Sequence, residues 1–329
     1  MKKKITIVAT SILLVVGGIG ATDTVQRPMA KITFVVKDDA GTPVPNIKVS
    51  MSTFHHWEPG EGFGKDIAKS YTSITDKNGV AVIQGRSLRG EFACGITATG
   101  YYPHRHMRHR FTERKSGRWE PWNPTLEIII HPIINPIPMY MFHEKDKNIP
   151  SPEKEFGFDL KMDDFVAPYG RGVYPDFIFK IEEKIPRTEF GESYDYRLRI
   201  TFPNKGDGIQ SHFTTPCPKS ESPGDSRITM PRYAPTTGYK NSLELRKALL
   251  DDRRIEQGMD QNYFFRVRTK LDKNGKITSA LYGKISGPIE FGKNWFRLRY
   301  FLNPTPLDLN MENGSYEREN LTPKPPKKP

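Results

Sequence analysis

The segment Tyr101 to Trp119, YYPHRHMRHRFTERKSGRW, holds three histidines, five arginines and one lysine. Such side chains ligate metals through imidazole, bind anions through guanidinium, or line an ordinary solvated strand. In an extended chain His104, His106, Arg108 and Arg110 share one face, and Arg105, Met107, His109 and Phe111 share the other. A His-x-His pair on one strand face brings two imidazoles together, as some metal sites require. Here that face also carries two arginines, which repel a cation, and no cysteine or acid lies beside the pair. No metal is expected. An exposed basic strand or loop is expected instead, with a preference for anions. Its histidines gain charge near pH 6, so anion binding should strengthen as pH falls and weaken with salt.

The tryptophans offer a second chemistry. Trp57 follows His55 and His56, and Trp119 and Trp122 stand in GRWEPWNP. An exposed indole beside polar groups stacks on sugar rings or anchors a protein partner; a buried one is packing. The candidate ligand-binding set is therefore Trp57, Trp119, Trp122, His104, His106, Arg105, Arg108 and Arg110. No catalytic residue, metal ligand or cofactor is assigned. The chain lacks a Gly-x-Ser-x-Gly elbow, a phosphate-cradling Gly loop, a His-Glu-x-x-His pair and a paired-Cys zinc pattern. Asp163-Asp164 and Asp251-Asp252 are adjacent acids in polar surroundings. Acids for glycoside hydrolysis would have to converge in space. A cleft with convergent acids in residues 139 to 311 would favour an exported hydrolase or hydrolase accessory with a dispersed site.

The compartment is written at the N-terminus. MKKKITIVATSILLVVGGIGA has Lys2 to Lys4, an apolar run from Ile5 to about Ile19, and small residues after it. That three-part order is a secretory signal peptide over residues 1–21. The rival is an uncleaved membrane anchor over residues 5–21, against which the run is short and broken by Gly17 and Gly18. Formal net charge is +12, and the basic run suits attraction to an acidic envelope polymer or an anionic membrane surface. Export and the absence of a nucleic-acid fold pattern argue against nucleic acid. Two cysteines, Cys94 and Cys217, do not make a disulfide framework. Cys94 shares strand parity with Phe92 and Ile96 and reads as core; Cys217 sits in a loop, and a bridge between them stays open.

The elements that must position these residues are strands. The 28 prolines and 27 glycines fit many short strands joined by tight turns. KITFVVK alternates, as do PNIKVSM and GEFACGITATGYY, and TLEIIIHP closes the set. Asp76-Lys77-Asn78-Gly79 is a turn between two short strands, where Gly79 can supply φ > 0, and Lys273-Asn274-Gly275 turns the clearest hairpin. An antiparallel sandwich is expected, with Ile32, Phe34, Val36, Ile47, Val49, Phe92, Cys94, Ile96 and Ala98 inside. Gly41 to Ile47, Thr75 to Gly79, Gly90-Glu91-Phe92 and Gly100-Tyr101, in that order, resemble the carboxypeptidase regulatory-like or transthyretin-like β-sandwich over about residues 31 to 102. The resemblance implies an accessory or surface module without catalysis. This chain departs from it by inserting FHHWEPGEGFGKDIAK.

The second half alternates in FGFDL, DFIFKIEE, YDYRLRITF and NWFRLRYFL. NSLELRKALLDDRRIEQG suits either a short helix, through the spacing of Asn241 and Glu244, or a strand. APYGRG (167–172) and NPTPLDLNME (303–312) resemble segments of uncharacterised exported bacterial proteins and imply no activity. The expected fold is all-β. A signal peptide (1–21) and linker (22–30) precede a sandwich (31–132), a Pro-rich connector (133–138), a β-rich domain (139–311) with at most one short helix, and a disordered basic tail (312–329). The expected function is non-enzymatic: an exported envelope or surface protein that binds an envelope polysaccharide or another envelope protein.

Overall fold

The structure, a computed structural model, describes residues 27–58, 65–102, 104–142, 146–151, 154–186, 193–214, 228, 230–250, 253–258, 260–314 and 319–322. Of residues 55–58, 65–66, 104–106 and 142 it describes only the backbone. The signal segment, the Gly-rich insert at 59–64 and Cys217 lie outside the described residues. So do the side chains of Trp57, His104, Arg105 and His106.

The first half contains β1 (Met29–Asp38), β2 (Lys48–Glu58), β3 (Lys65–Ile74), β4 (Val80–Arg86), β5 (Glu91–Thr97), β6 (His104–Arg110), β7 (Glu113–Lys115), β8 (Arg118–Glu120) and β9 (Thr125–Ile130). They form two sheets, β4-β1-β8-β7 with β9 also on β1, and β3-β2-β5-β6. Apolar residues at every second position turn inward, and one core joins the sheets: Ile32, Phe34, Val36, Ile47, Val49, Phe92, Cys94 and Ile96 are buried, with Ala98 packed at the margin. Burial pushes the Cys94 thiol up to about 12, so it is an inert core group. Two pairings depart from the expected antiparallel order, the first being β8, which meets β1 in parallel at Met29 and Arg118. β9 runs parallel to β1, from Thr33 opposite Thr125 to Asp38 opposite Ile130. The turn before β4 needs its glycine: Gly79 has φ +72°, and a Cβ there would stand 2.4 Å from the Val36 carbonyl oxygen. Asp76 Oδ1 ties the same turn by accepting from the N–H groups of Asn78 and Val80, each at 2.9 Å.

The second half contains β10 (Tyr140–Phe142), β11 (Lys147–Asn148), β12 (Phe156–Asp159), β13 (Asp164–Phe165), β14 (Phe177–Ile185), β15 (Tyr194–Thr201), β16 (Gly208–Phe213) and β17 (Ser242–Leu250). It continues with β18 (Arg253–Ile255), β19 (Gln261–Leu271), β20 (Ile277–Ile285), β21 (Glu290–Gly292), β22 (Trp295–Arg297) and β23 (Tyr300–Leu302). The sheets β13-β12-β14-β15-β17-β18 and β10-β23-β20-β19-β16 share an aromatic core that includes Phe156, Phe158, Phe177, Phe179, Tyr263, Phe265 and Tyr300, with β11-β22-β21 contributing Phe291 and Phe296. A separate cluster, with Phe264, Tyr282, Phe301 and Met311, covers the outer face of the β19–β20 hairpin.

Among the described residues no α-helix occurs, and no helix is long and apolar enough to cross a membrane. Residues 242–250, which suited either state, are strand. β15 offers an open ladder from Tyr194 to Thr201, and pairing with it satisfies backbone groups that a helix would leave facing solvent. Part of the expected disordered tail is ordered. Glu312 and Asn313 are buried, and Leu321 bridges to Tyr140, so these residues are part of the fold.

Phe34 is wholly buried. Phe34→Ala should lower unfolding free energy by about 3–5 kcal/mol through lost burial and the cavity left behind. Chemical denaturation measures this, and a loss below about 1 kcal/mol would contradict the inward orientation of β1.

Candidate functional site

The His/Arg run forms β6, the edge of its sheet. Its register on β5 sets Cys94 opposite Met107, Phe92 opposite His109 and Glu91 opposite Arg110. Met107 and Phe111 are buried, while Arg108 and Arg110 are exposed, as the alternation required. The expected lack of a neighbouring acid does not hold. Glu91 reaches across from β5, with Oε1 3.2 Å from Arg108 Nη1 and Oε2 3.1 Å from Arg110 Nη2. An acid on the paired strand is invisible when only the run itself is inspected. These pairs are solvent-exposed, so they partly neutralise the strand without stabilising it much. His109 turns toward the core, its ring edge-on to Phe111 at 4.7 Å, and burial lowers its pKa. Its burial disfavours the charged form, so of the three histidines of the run this one is held back from adding positive charge as pH falls.

The two candidate tryptophans whose side chains are described are engaged within the sandwich. Trp119 donates its indole N–H to the Ser87 carbonyl at 3.2 Å and packs on the core. Its ring also fills the space beside Gly90, where a Cβ would meet it at 2.9 Å. Trp122 is half-buried, with the Arg118 guanidinium 4.8 Å over its ring.

The second half does bring acids together. Asp159, Asp176 and Asp207 are all buried and meet at Arg268 on β19. Arg268 donates from Nε to Asp176 Oδ1 at 2.8 Å, and from Nη2 to Asp176 Oδ2 at 2.7 Å and Asp159 Oδ1 at 2.9 Å. Asp159 Oδ2 accepts from the N–H groups of Val173 and Tyr174. Asp207 accepts from Thr269 N–H at 2.8 Å and Arg268 N–H at 3.1 Å. Every oxygen of the three carboxylates thus has a donor inside the protein. Carboxylates so bonded, and paired with a buried guanidinium, are held in place as part of the fold. Sequence reasoning did not find them because they are single aspartates on three separate segments, and the arginine they share stands on a fourth.

A second buried network lies where the halves meet. Glu312 accepts from the Tyr102 hydroxyl at 3.0 Å and from the N–H groups of Ile134 and Asn135 at 2.8 and 2.9 Å. Arg232 pairs with Glu312 at 3.1 Å and with Asp39 of the sandwich at 2.9 Å. Burial works to raise the Glu312 pKa, but the two N–H groups, Tyr102 and Arg232 outweigh it and hold the carboxyl below its usual range. Lys284 sits beneath, with its amine donating to the Met311 carbonyl at 2.7 Å. Burial, then the nearby Arg299, lowers its pKa from 10.5 to about 7 against the opposing pull of Glu312. Among the described residues no three His, Cys, Asp or Glu side chains are placed to hold a metal.

No protein-family model matches the chain, and no curated protein matches it. Among solved structures, a streptococcal ancillary pilin aligns over 90% of this chain with a TM-score of 0.23 and 11% identity. The alignment spans 64% of that pilin's length. The shaft pilin SpaA of Lactobacillus rhamnosus GG aligns over 87% of this chain and 95% of its own, with a TM-score of 0.22 and 9% identity. At these scores neither likeness bears on function.

Both buried networks are testable. Arg268→Ala should cost about 3–5 kcal/mol, because it leaves buried carboxylates uncompensated. A loss within about 0.5 kcal/mol, the level of an ordinary surface change, would contradict the pin. For Lys284, the folded amine releases its proton near pH 7 and the unfolded one near 10.5. Between those values the unfolded chain binds more protons, so stability rises with pH. Relative to Lys284→Met, the wild type should gain on the order of 2 kcal/mol between pH 7 and pH 9. Urea unfolding at both pH values measures it, and a constant difference would refute the neutral buried amine.

Proposed function

We propose that this chain is an exported, non-enzymatic protein of the cell envelope that works by binding an envelope polysaccharide or another envelope protein. The observation that carries this is the saturation of Asp159, Asp176 and Asp207 by Arg268 and backbone N–H groups. These three acids, which converge as those of a dispersed hydrolase would, are committed to structure. The exposed charges stand instead on outward sheet faces backed by packed cores, which suits recognition. In this proposal the first sandwich is a regulatory-like accessory module. Residues 1–21 act as the export signal, no cofactor is required, and nucleic acid is not the partner.

Processing at the N-terminus tests the compartment. Protein isolated from the envelope or medium of its native host should begin near Thr22 by N-terminal sequencing. Recovery of chains beginning at Met1 or Lys2 from the soluble cytoplasmic fraction would refute export. Asp159→Asn and Asp176→Asn should lower stability. Hydrolysis of a polysaccharide by the wild type, abolished in a variant that remains folded, would overturn the non-enzymatic assignment.

A further inference from the structure

The outer face of β14, β15 and β17 carries an arrangement that the fold does not need. The register aligns Lys180, Arg199 and Glu244 in one row and Glu182, Arg197 and Arg246 in the next. Lys180 thus stands directly opposite Arg199, and Arg197 directly opposite Arg246. Like charges facing each other across a ladder destabilise a sheet. The carboxylates present do not balance them. Glu182 is shared by Lys180 at 2.7 Å and Lys184 at 2.6 Å. Asp195 is shared by Arg197 at 3.3 Å and Arg246 at 2.8 Å, and Arg199 pairs with Glu244 at 3.1 Å. Among the described residues five cations therefore face three carboxylates. The local potential registers on the acids: hydrogen bonds from Lys180 and then Lys184 bring the Glu182 pKa down to about 2, and Arg246 lowers that of Asp195.

The same side chains line a groove of about 570 Å³. Its floor is rigid, because the opposite face of these strands carries Phe177, Phe179, Ile181, Leu198 and Ile200 into the core. Strand spacing of about 4.8 Å and a two-residue repeat of about 6.7 Å hold the cations in a fixed grid. Guanidinium groups so fixed lose little entropy on engaging carboxylate or sulfate.

We propose that this groove binds an acidic polysaccharide, gripped by Lys184, Arg197, Arg199 and Arg246. The inference rests on the binding role proposed above and names its site and ligand class. The ligand is an extended chain because the site is a groove across three strands, whereas a bilayer presents a flat surface. It is a glycan and not a single-stranded nucleic acid because the proposed export sets the chain among anionic envelope polymers, whose carboxylates match the guanidinium groups. The His/Arg strand is the weaker site, since its two described outward cations, Arg108 and Arg110, share Glu91 and stand alone on that face, while His109 faces inward.

The experiment is titration of the purified full chain with polygalacturonate, at low and high salt, with neutral dextran, single-stranded DNA and phosphatidylglycerol vesicles as comparisons. Lys184→Gln with Arg199→Gln leaves the Asp195 pairs intact and should keep the unfolding midpoint. Its affinity for polygalacturonate should drop about tenfold or more, the worth of one charge-assisted hydrogen bond. Arg108→Gln with Arg110→Gln should change it by less than about twofold, as exposed, already paired charges do. Wild-type binding should weaken with salt, and neutral dextran should not bind. An undiminished affinity in the groove variant, or an equal loss in the strand variant, would overturn the site. Tighter binding to DNA or vesicles would overturn the ligand class. Absence of polygalacturonate binding by the wild type would overturn this inference alone; the broader binding role would still stand or fall on processing, hydrolysis and protein partners.

Discussion

The relation between the two halves of this molecule depends on one carboxylate. Glu312 comes from the last part of the described chain and is 2% exposed. It gathers two N–H groups of the segment that leaves the sandwich, a hydroxyl from the sandwich itself, and a guanidinium that reaches on to Asp39. A buried charge is tolerable only when its oxygens are filled by hydrogen bonds and an opposite charge, and here the donors come from both halves. The Pro-rich connector is therefore fixed by the chain's far end. Extension comes from its prolines, but its position comes from Ile134 and Asn135 binding Glu312.

The same logic recurs in the second half at Arg268. β19 departs from regular register between Val267 and Lys270, and Arg268 takes φ +56° there. That conformation is uncommon outside glycine. It aims the guanidinium at Asp159 and Asp176 while its own N–H reaches Asp207. The aromatic core supplies most of the burial, and the arginine fixes which loops close over it. Two buried ionic networks, one between the halves and one within the second, thus determine arrangement more than they add stability.

Surface charge follows a different rule. β6 has the greater concentration of basic residues in sequence, but its alternation sends His109 inward and its pairing supplies Glu91. β15 has only Arg197 and Arg199 facing out, and its neighbours add Lys180, Lys184 and Arg246 beside them. Local charge density in the chain and charge density on a face are set by different things: the first by neighbours in sequence, the second by register.

The sequence by itself determined the all-β class, the inward set from Ile32 to Ile96, the Asp76–Gly79 turn and the outward orientation of Arg108 and Arg110. Each follows from period-two alternation or local turn chemistry, which need no distant partner. It also contained the export-like terminus, which lies outside the described residues. Tertiary structure alone decided the parallel placement of β9, the strand state of residues 242–250, the Glu91 pairing, the convergence of three aspartates on Arg268 and the burial of Glu312 and Lys284. These are contacts between residues tens to hundreds of positions apart, as in the 210-residue separation of Tyr102 and Glu312. No periodicity encodes such a meeting. It arises when sheets pack, and packing then decides which polar groups lose water and must find one another.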